Sequence, residues 1–126
     1  MIRYRYNQQV SPPAPFLHLV LARPDGTRSS GEIPAQIDSA ADITAVPADV
    51  IDDLELVQFG SMDVAAFAGV LKTVRTFLVQ LSLRGGNPVV VKVVASSDEP
   101  HVLLGRDVLN RHRILLDGPQ GMMEID

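Results

Sequence analysis

Short apolar segments separated by turn residues recur along this chain of 126 residues, and they constrain its fold most strongly. From Phe77 to Leu83, apolar residues at every second position alternate with residues that include Gln80 and Ser82, the period of a sheet with one buried face. Pro-Asp-Gly at 24–26 and Arg-Gly-Gly-Asn-Pro at 84–88 are typical turns. Such segments, spaced by roughly 8–12 residues, predict a compact all-β fold or barrel.

The pattern also predicts the organisation of the chain. Its length is that of one domain, which we place at residues 16–126. Residues 1–15 are expected to form an extended arm, because the three prolines among residues 12–15 have no backbone N–H to donate to a neighbouring strand. Two short helices are expected, and the remaining segments read as strands. The helices are placed at 47–54 and from 106 to about 111, and the main strands at 16–22, up to 37, 70–83, 89–95, 102–104, 113–117 and 122–125.

Composition excludes several classes of function. There is no cysteine, so disulfides and thiolate metal sites are absent, and the net charge of −4 comes without a basic stripe that would favour nucleic acid. His18, His101 and His112 lie too far apart in sequence for the short spacing of metal ligands. Ser39 has no neighbouring signature of a serine nucleophile. We therefore expect no metal and no cofactor.

The termini and the apolar runs predict the location of the protein. No apolar run approaches the length of about 18 residues that a membrane-spanning helix needs. The N-terminus lacks the charged, apolar and small-residue order of a signal peptide. The expectation is a soluble cytoplasmic protein that binds neither membranes nor nucleic acid.

A carboxylate stands at the end of the second predicted strand. Asp38 is followed by three small residues, Ser39, Ala40 and Ala41, and a second acid, Asp42, comes four positions after the first. An unpaired carboxylate is costly to place inside a sheet, so small neighbours indicate room made around it. The alternative is a surface turn, since Asp-Ser is ordinary turn chemistry.

A second feature lies near the C-terminus, where apolar residues lead into Gly105 and Arg106. The planar guanidinium of Arg106 is suited to binding a carboxylate, and Asp42 is the natural candidate. The alternative is a plain helix start with Asp107 in its first turn.

Between these two features, the segment Phe67-Ala68-Gly69-Val70 predicts a hairpin tip. Small residues at such a tip are typical of a mobile lid. An ordinary β-turn is the alternative.

Taken together, these features resemble the retropepsin-like aspartic proteases, in particular small bacterial domains similar to retroviral proteases. Family members carry Asp-Thr/Ser-Gly-Ala, matched here by Asp38 to Ala41 and followed by Asp42 and Thr44. They also carry an apolar pair, a glycine and an arginine before a late helix, matched by residues 103–106. The resemblance covers residues 16–125. It implies a one-lobed closed β-barrel with one or two short helices and a β-hairpin flap.

The resemblance also implies a function, that of an aspartic endopeptidase acting as a homodimer on an extended peptide or protein. Each subunit would supply one catalytic Asp38, and the Ser39 hydroxyl would bond across the two-fold axis. Asp42, held by Arg106, would contact substrate backbone, and Thr44 and Gly105 would support the site. The flap residues implied to bind substrate are Phe67, Ala68, Gly69 and Val70.

One position departs from the family pattern. Ala40 stands where the family has glycine, and its methyl group, doubled by the two-fold axis, would crowd the position of the attacking water. A displacement near 1 Å can cost about a hundredfold in rate. The alternative is therefore a dimeric, catalytically weak or inactive module that keeps the cleft and binds or scaffolds peptides.

Overall fold

Most of the chain is strand in the computed structural model, which describes residues 1–65 and 67–126. The described residues form ten strands and two short α-helices, with a 3-10 turn at Phe67–Gly69. The strands are β1 (Ile2–Arg5), β2 (Phe16–Ala22), β3 (Ser29–Ile37), β4 (Ala45–Pro47), β5 (Gln58–Ala65), β6 (Leu71–Leu83), β7 (Val89–Ser96), β8 (Val102–Leu104), β9 (Ile114–Asp117) and β10 (Met122–Ile125), and the helices are α1 (Ala48–Asp53) and α2 (Arg106–Leu109).

Six of these strands close into a barrel. The larger sheet has the order β2-β3-β8-β4-β7-β6-β5, and β2 also pairs with β6, so the ring closes and leaves β5 outside it. β5 and β6 form a long antiparallel hairpin that extends from the barrel. The closed all-β barrel expected from the sequence is confirmed.

The core of the barrel is built mainly from aliphatic side chains. In β6 the residues Phe77, Val79 and Leu81 are at most 2% exposed, while Leu78 between them is 39% exposed. The alternation in the sequence thus corresponds to one face on the core and one on the surface. No helix among the described residues is long and apolar enough to span a membrane.

The β2–β3 hairpin places Asp38 where three strands converge. β3 runs antiparallel to β2 and parallel to β8, with Ile37 paired to Leu104. The Asp38 N–H continues this ladder by donating to the Leu104 carbonyl at 3.0 Å. Asp38 is therefore the first residue beyond a strand that is fixed on both edges.

The termini form a second, smaller sheet of order β1-β10-β9. Part of the segment expected to be an extended arm is thus a paired strand, since Ile2–Arg5 aligns antiparallel with Met122–Ile125 and Tyr4 is 8% exposed. The prolines affect only residues 12–15, and the alternating Ile-Arg-Tyr-Arg ahead of them is free to pair. The division into an arm at 1–15 and a domain at 16–126 stays a prediction.

Candidate active site

The loop that carries Asp38 is a tight turn. The Ala41 N–H donates to the Asp38 carbonyl at 3.1 Å, and the Ala40 N–H donates to Asp38 Oδ1 at 3.2 Å. The non-glycine residues with positive φ in the described part of the chain are Glu55 and Ala68, so Ala40 has an ordinary backbone conformation. An alanine is therefore accommodated in this turn, and its N–H still reaches the carboxylate.

The loop continues the outer face of the sheet. Ala35 and Val102 are paired and buried in the core, so the next pair along the strands, Gln36 and Leu103, lies on the opposite face. Ala45 pairs with Leu103 and extends this face. Asp38 follows Gln36 by two residues and belongs to the same face. Asp38, like Gln36, Ala45 and Leu103, is partly buried.

Arg106 connects the late segment to the Asp38 loop. Its Nη1 donates to the Ser39 carbonyl at 2.8 Å, its Nη2 contacts the Asp42 carboxylate, and its backbone N–H donates to the Ala41 carbonyl at 2.9 Å. The Asp42 side chain is 85% exposed, so the ion pair by itself contributes little to stability. Its effect is positional, because one guanidinium holds the loop at two points.

A buried clamp lies beneath this surface contact. Thr44 is fully buried, and its N–H and hydroxyl both donate to the Asp107 carboxylate, at 3.1 and 2.8 Å. The Thr44 hydroxyl also accepts the Gly105 N–H at 3.1 Å. The Thr44 hydroxyl therefore both donates and accepts, and the two loops are joined without an unpaired buried side-chain group among the described residues.

Position 105 requires glycine because the backbone of Ile43 lies against it. A Cβ placed there would lie 2.7 Å from the carbonyl carbon of Ile43 and 2.9 Å from its oxygen. Such a contact forces the backbone to move. Thr44 and Gly105 thus both lie in the clamp, one as the hydrogen-bonding hub and the other as the point where the two loops touch.

Asp107 is the site residue that sequence reasoning missed. The pattern predicted only a first-turn acid of the late helix, and Asp107 does occupy that turn, where it accepts the Val108 N–H at 3.0 Å. Its contacts with Thr44, 63 residues away, carry no local signal. The usable clue was an acid directly after Gly-Arg, together with a threonine inside an otherwise apolar strand approach.

The predicted hairpin tip lies at the end of β5 and β6, with Ala68 and Gly69 at φ of 66° and 76°. Val70 and Leu71 are 63% and 68% exposed. The side chain of Phe67 lies outside the described part of the structure. Among residues 1–65 and 67–126, no hydrogen bond joins this tip to the Asp38 loop. The structure therefore joins the segment 38–44 to Gly105 and Arg106 by hydrogen bonds, and the described residues of the hairpin tip make no such bond with them.

The groups with shifted pKa values lie away from this site. Hydrogen bonds from the Thr27 hydroxyl and backbone N–H lower the pKa of Asp25 to about 2. The hydrogen bond to Glu32 raises the pKa of Arg84. Both belong to exposed parts of the chain near turns.

Comparisons with known proteins identify the fold. No protein-family model and no curated protein matches the sequence. Among solved structures, a retropepsin-like aspartic protease from Rickettsia conorii aligns with a TM-score of 0.64 at 13% identity, over 97% of this chain and 86% of its own. The EIAV protease, in complex with the inhibitor HBY-793, aligns with a TM-score of 0.61 at 16% identity, over 86% of this chain and 93% of its own.

A third similar structure is the protease of simian foamy virus (mac), with a TM-score of 0.55 at 23% identity, over 76% of this chain and 92% of its own. These likenesses span 86 to 93% of the compared chains. At sequence identities of 13 to 23%, these similarities show the fold alone. The chain therefore has the retropepsin-like fold that the sequence motifs predicted.

Proposed function

We propose that this chain, with its retropepsin-like fold, is an aspartic endopeptidase that works as a homodimer with one Asp38 from each subunit. The observation that carries the proposal is the position of Asp38. It stands at the end of a strand fixed on both edges, in a turn whose next two residues, Ser39 and Ala40, are small and exposed. A turn of this kind leaves room for a second copy of itself.

Two carboxylates brought close together cannot both ionise, the known behaviour of aspartic-protease dyads. The ionised member accepts a proton from a water, and the protonated member hydrogen-bonds to the carbonyl of the peptide bond to be cleaved. The Ala40 N–H already donates to Asp38 Oδ1 at 3.2 Å and so helps to orient this carboxylate. The reaction needs no covalent intermediate and no cofactor.

The remaining roles follow from position. Asp42 has an exposed carboxylate beside the loop and is held by Arg106, so it is available to accept a hydrogen bond from substrate backbone. The β5–β6 hairpin would act as a flap whose tip, residues 67–70, adds main-chain hydrogen bonds to an extended peptide. The Ser39 hydroxyl would bond across the two-fold axis. The protein would act in the cytoplasm, away from membranes and nucleic acid.

Ala40 supports a second candidate, a dimer that binds peptides without cutting them. The turn accepts alanine without backbone strain, so the cost of the methyl group is confined to the space between two subunits. We expect Ala40→Gly to raise kcat/KM if the protein is a protease whose rate the methyl limits. No effect of Ala40→Gly on an active enzyme would mean that the dimer tolerates both methyl groups.

The test is cleavage of an unfolded protein substrate between about pH 4 and pH 7, where a shared-proton dyad works. Asp38→Asn removes the carboxylate with little change in shape and should abolish cleavage. The matched control is Asp52→Asn, on the exposed side of α1, which should cleave like the parent. A statine-type inhibitor should block the parent and the control equally. Cleavage retained in Asp38→Asn, or no cleavage by the parent or by Ala40→Gly, would overturn the protease assignment.

A further inference from the structure

We propose that a groove at the base of the β5–β6 hairpin docks an extended segment of another protein, one that carries a large apolar side chain next to a basic residue. The groove has a volume of about 290 Å³. It is lined by the turn at 23–25, by Leu56, Val57 and Phe59, and by Leu78 of β6. None of these residues belongs to the Asp38 loop, so the proposal does not depend on the chemistry of Asp38.

The lining of the groove exposes three large apolar side chains. Val57, Phe59 and Leu78 are 71%, 57% and 39% exposed. Val57 and Phe59 are two residues apart and so point the same way along an extended chain. Continuing the Gln58–Phe77 register by one residue places Val57 beside Leu78. Single apolar residues scattered over a surface are ordinary, whereas a contiguous group that lines one groove indicates an interaction site.

A β-bulge presents the ring of Phe59. The β5–β6 ladder pairs Gln58 with Phe77 and then Gly60 with Thr76, so Phe59 is one extra residue on β5. A bulge of this kind bends its strand and re-aims a side chain. Gly60 permits the bend, since a Cβ there would lie 3.2 Å from the Thr76 hydroxyl oxygen. Phe59 is thus left out of the described ladder and is available to a ligand.

The two walls of the groove are fixed to each other through Glu55. Arg23 donates to its carbonyl, and Arg28 pairs with its carboxylate at 3.2 Å. Glu55 has a φ of 51°, in the left-handed region that favours glycine. Contacts at both its backbone and its side chain hold this residue, and therefore the segment leading to Val57, against the turn. A groove formed in advance loses less conformational freedom when a ligand binds.

The strand edge beside the groove favours a peptide as the occupant. β5 is the last strand of the larger sheet, and in the part of the chain that the structure describes it pairs with β6 alone. Its charged residue is Asp63, so charge gives this edge little protection from pairing. An extended peptide adds to such an edge through main-chain hydrogen bonds and seats side chains in adjoining pockets. A volume of about 290 Å³ is at the lower limit for a whole small-molecule ligand, and it suits a peptide side chain better.

The charges at the turn end of the groove favour a basic residue in that peptide. Asp25 lines the groove, and hydrogen bonds from Thr27 lower the pKa of its carboxyl to about 2, so it is ionised at ordinary pH. Residues 49–55 contain four acids and no basic residue. The basic side chains nearby, Arg23 and Arg28, are already engaged in ion pairs within the chain. A cation of the partner therefore meets a net negative surface here.

The opposite end of the groove carries a positive charge. Leu78 pairs across β6 and β7 with Lys92, which is exposed. Like charges in neighbouring positions on a sheet destabilise the pairing of strands. The basic residue of the partner is therefore expected only at the turn end, next to Asp25, with the apolar side chain between the two ends.

NMR titration of the ¹⁵N-labelled Asp38→Asn chain tests the proposal, because this variant should leave the probes intact. The probes are two acetylated and amidated peptides, Lys-Val-Phe-Val-Gln and Gln-Val-Phe-Val-Lys, which cover both directions of binding. The backbone amides of Asp25, Val57, Phe59 and Leu78 should shift and saturate with a Kd of about 1 mM or below. At least one probe should bind about two- to fivefold more tightly than Gln-Val-Phe-Val-Gln.

Variants separate the apolar contact from the charged one. Phe59→Ala should weaken binding by about tenfold, and Phe59→Leu should retain most of it. The control Leu115→Ala, at a position 55% exposed on β9, should bind like the unsubstituted chain. Asp25→Asn keeps an acceptor for Thr27 and should remove only the preference for lysine over glutamine. Circular dichroism establishes that each variant is folded.

Three outcomes would overturn the proposal. Shifts confined to residues 38–42 would place the peptide at the Asp38 loop instead of the groove. Equal binding of the lysine and glutamine peptides, or of Phe59→Ala and its parent, would reject the stated partner. Shifts at residues 57–59 that grow with protein concentration in the absence of peptide would identify a second copy as the occupant. The cleavage assay decides the protease proposal separately, because none of these measurements needs an active chain.

Discussion

A threonine hydroxyl that donates to an aspartate carboxylate recurs in this molecule, and two of these pairs lie in very different regions. In the clamp below the Asp38 loop, fully buried Thr44 donates to Asp107 at 2.8 Å across 63 residues of sequence. In the β5–β6 hairpin, exposed Thr73 donates to Asp63 at 2.5 Å, ten residues away and directly opposite on the neighbouring strand. The hydrogen bond is of the same kind in both regions, but the first pair is buried and the second is exposed to solvent.

The difference shows which part of the fold is fixed and which part is free to adapt. Asp107 also receives the Thr44 backbone N–H, and losing it would leave buried donors without a partner. Water can replace Asp63 at no comparable cost, because that pair lies on the surface. The region below the Asp38 carboxylate is therefore the more tightly held of the two, and the surface of the hairpin is freer to adapt.

Loss of the buried carboxylate should have the largest effect on stability. Asp107→Ala leaves the Thr44 N–H and hydroxyl without their acceptor, and we expect the free energy of unfolding to fall by about 3 kcal/mol. The corresponding fall in Tm is about 10 °C. Urea unfolding followed by circular dichroism measures the first and a thermal scan the second. A loss below about 1 kcal/mol would mean that water or a neighbouring group replaces the carboxylate.

Disturbing the close contact at Gly105 should have the second-largest effect on stability. Gly105→Ala forces a Cβ against the Ile43 backbone, and we expect a loss of about 2 kcal/mol in the same unfolding experiment. The matched control is Gly86→Ala in the β6–β7 turn, where the nearest atom to an added Cβ is 3.5 Å away, an ordinary contact. Equal losses in the two variants would contradict the idea that close packing of the two loops sets the cost.

Loss of the exposed Asp63 carboxylate should hardly change the free energy of unfolding. Asp63→Ala removes one surface hydrogen bond, and we expect a change within about 0.5 kcal/mol. If the hairpin is a flap, peptide cleavage should be affected more than stability. A loss as large as that of Asp107→Ala would remove the contrast between the two regions.

The smallest effect is expected at the turn of residues 25–27, which also pairs a threonine with an aspartate on the surface. Because the pKa of Asp25 is lowered from 3.8 to about 2, its contribution to stability is present above pH 3.8 and is lost as pH falls towards 2. Thr27→Val removes the hydroxyl that is the largest single cause of the shift, so the pKa should rise towards 3.8. NMR titration of the Asp25 carboxyl checks this, and an unchanged pKa would assign the shift to the backbone N–H.

Much of the fold could be predicted because alternation along a strand directly reports which face is buried. The pattern at 77–83 and the turns around it located β6 and its neighbours, and the prediction of a closed barrel was confirmed. β1 could not be predicted from the prolines at 12–15, because they affect only their own part of residues 1–15. The three-residue strand β4 was missed because it is too short to show a period.

The sequence by itself determined the local parts of the candidate site: a carboxylate at a strand end, small residues after it, and a glycine followed by an arginine. Each of these follows from the chain's own conformation over a few residues. Only the tertiary structure decided that Thr44 bonds to Asp107, that β1 pairs with β10, and that β9 keeps a free edge. The first contact joins residues 63 apart and the second pairs Ile2 with Ile125, and a partner so distant leaves no periodic trace in the sequence near either residue.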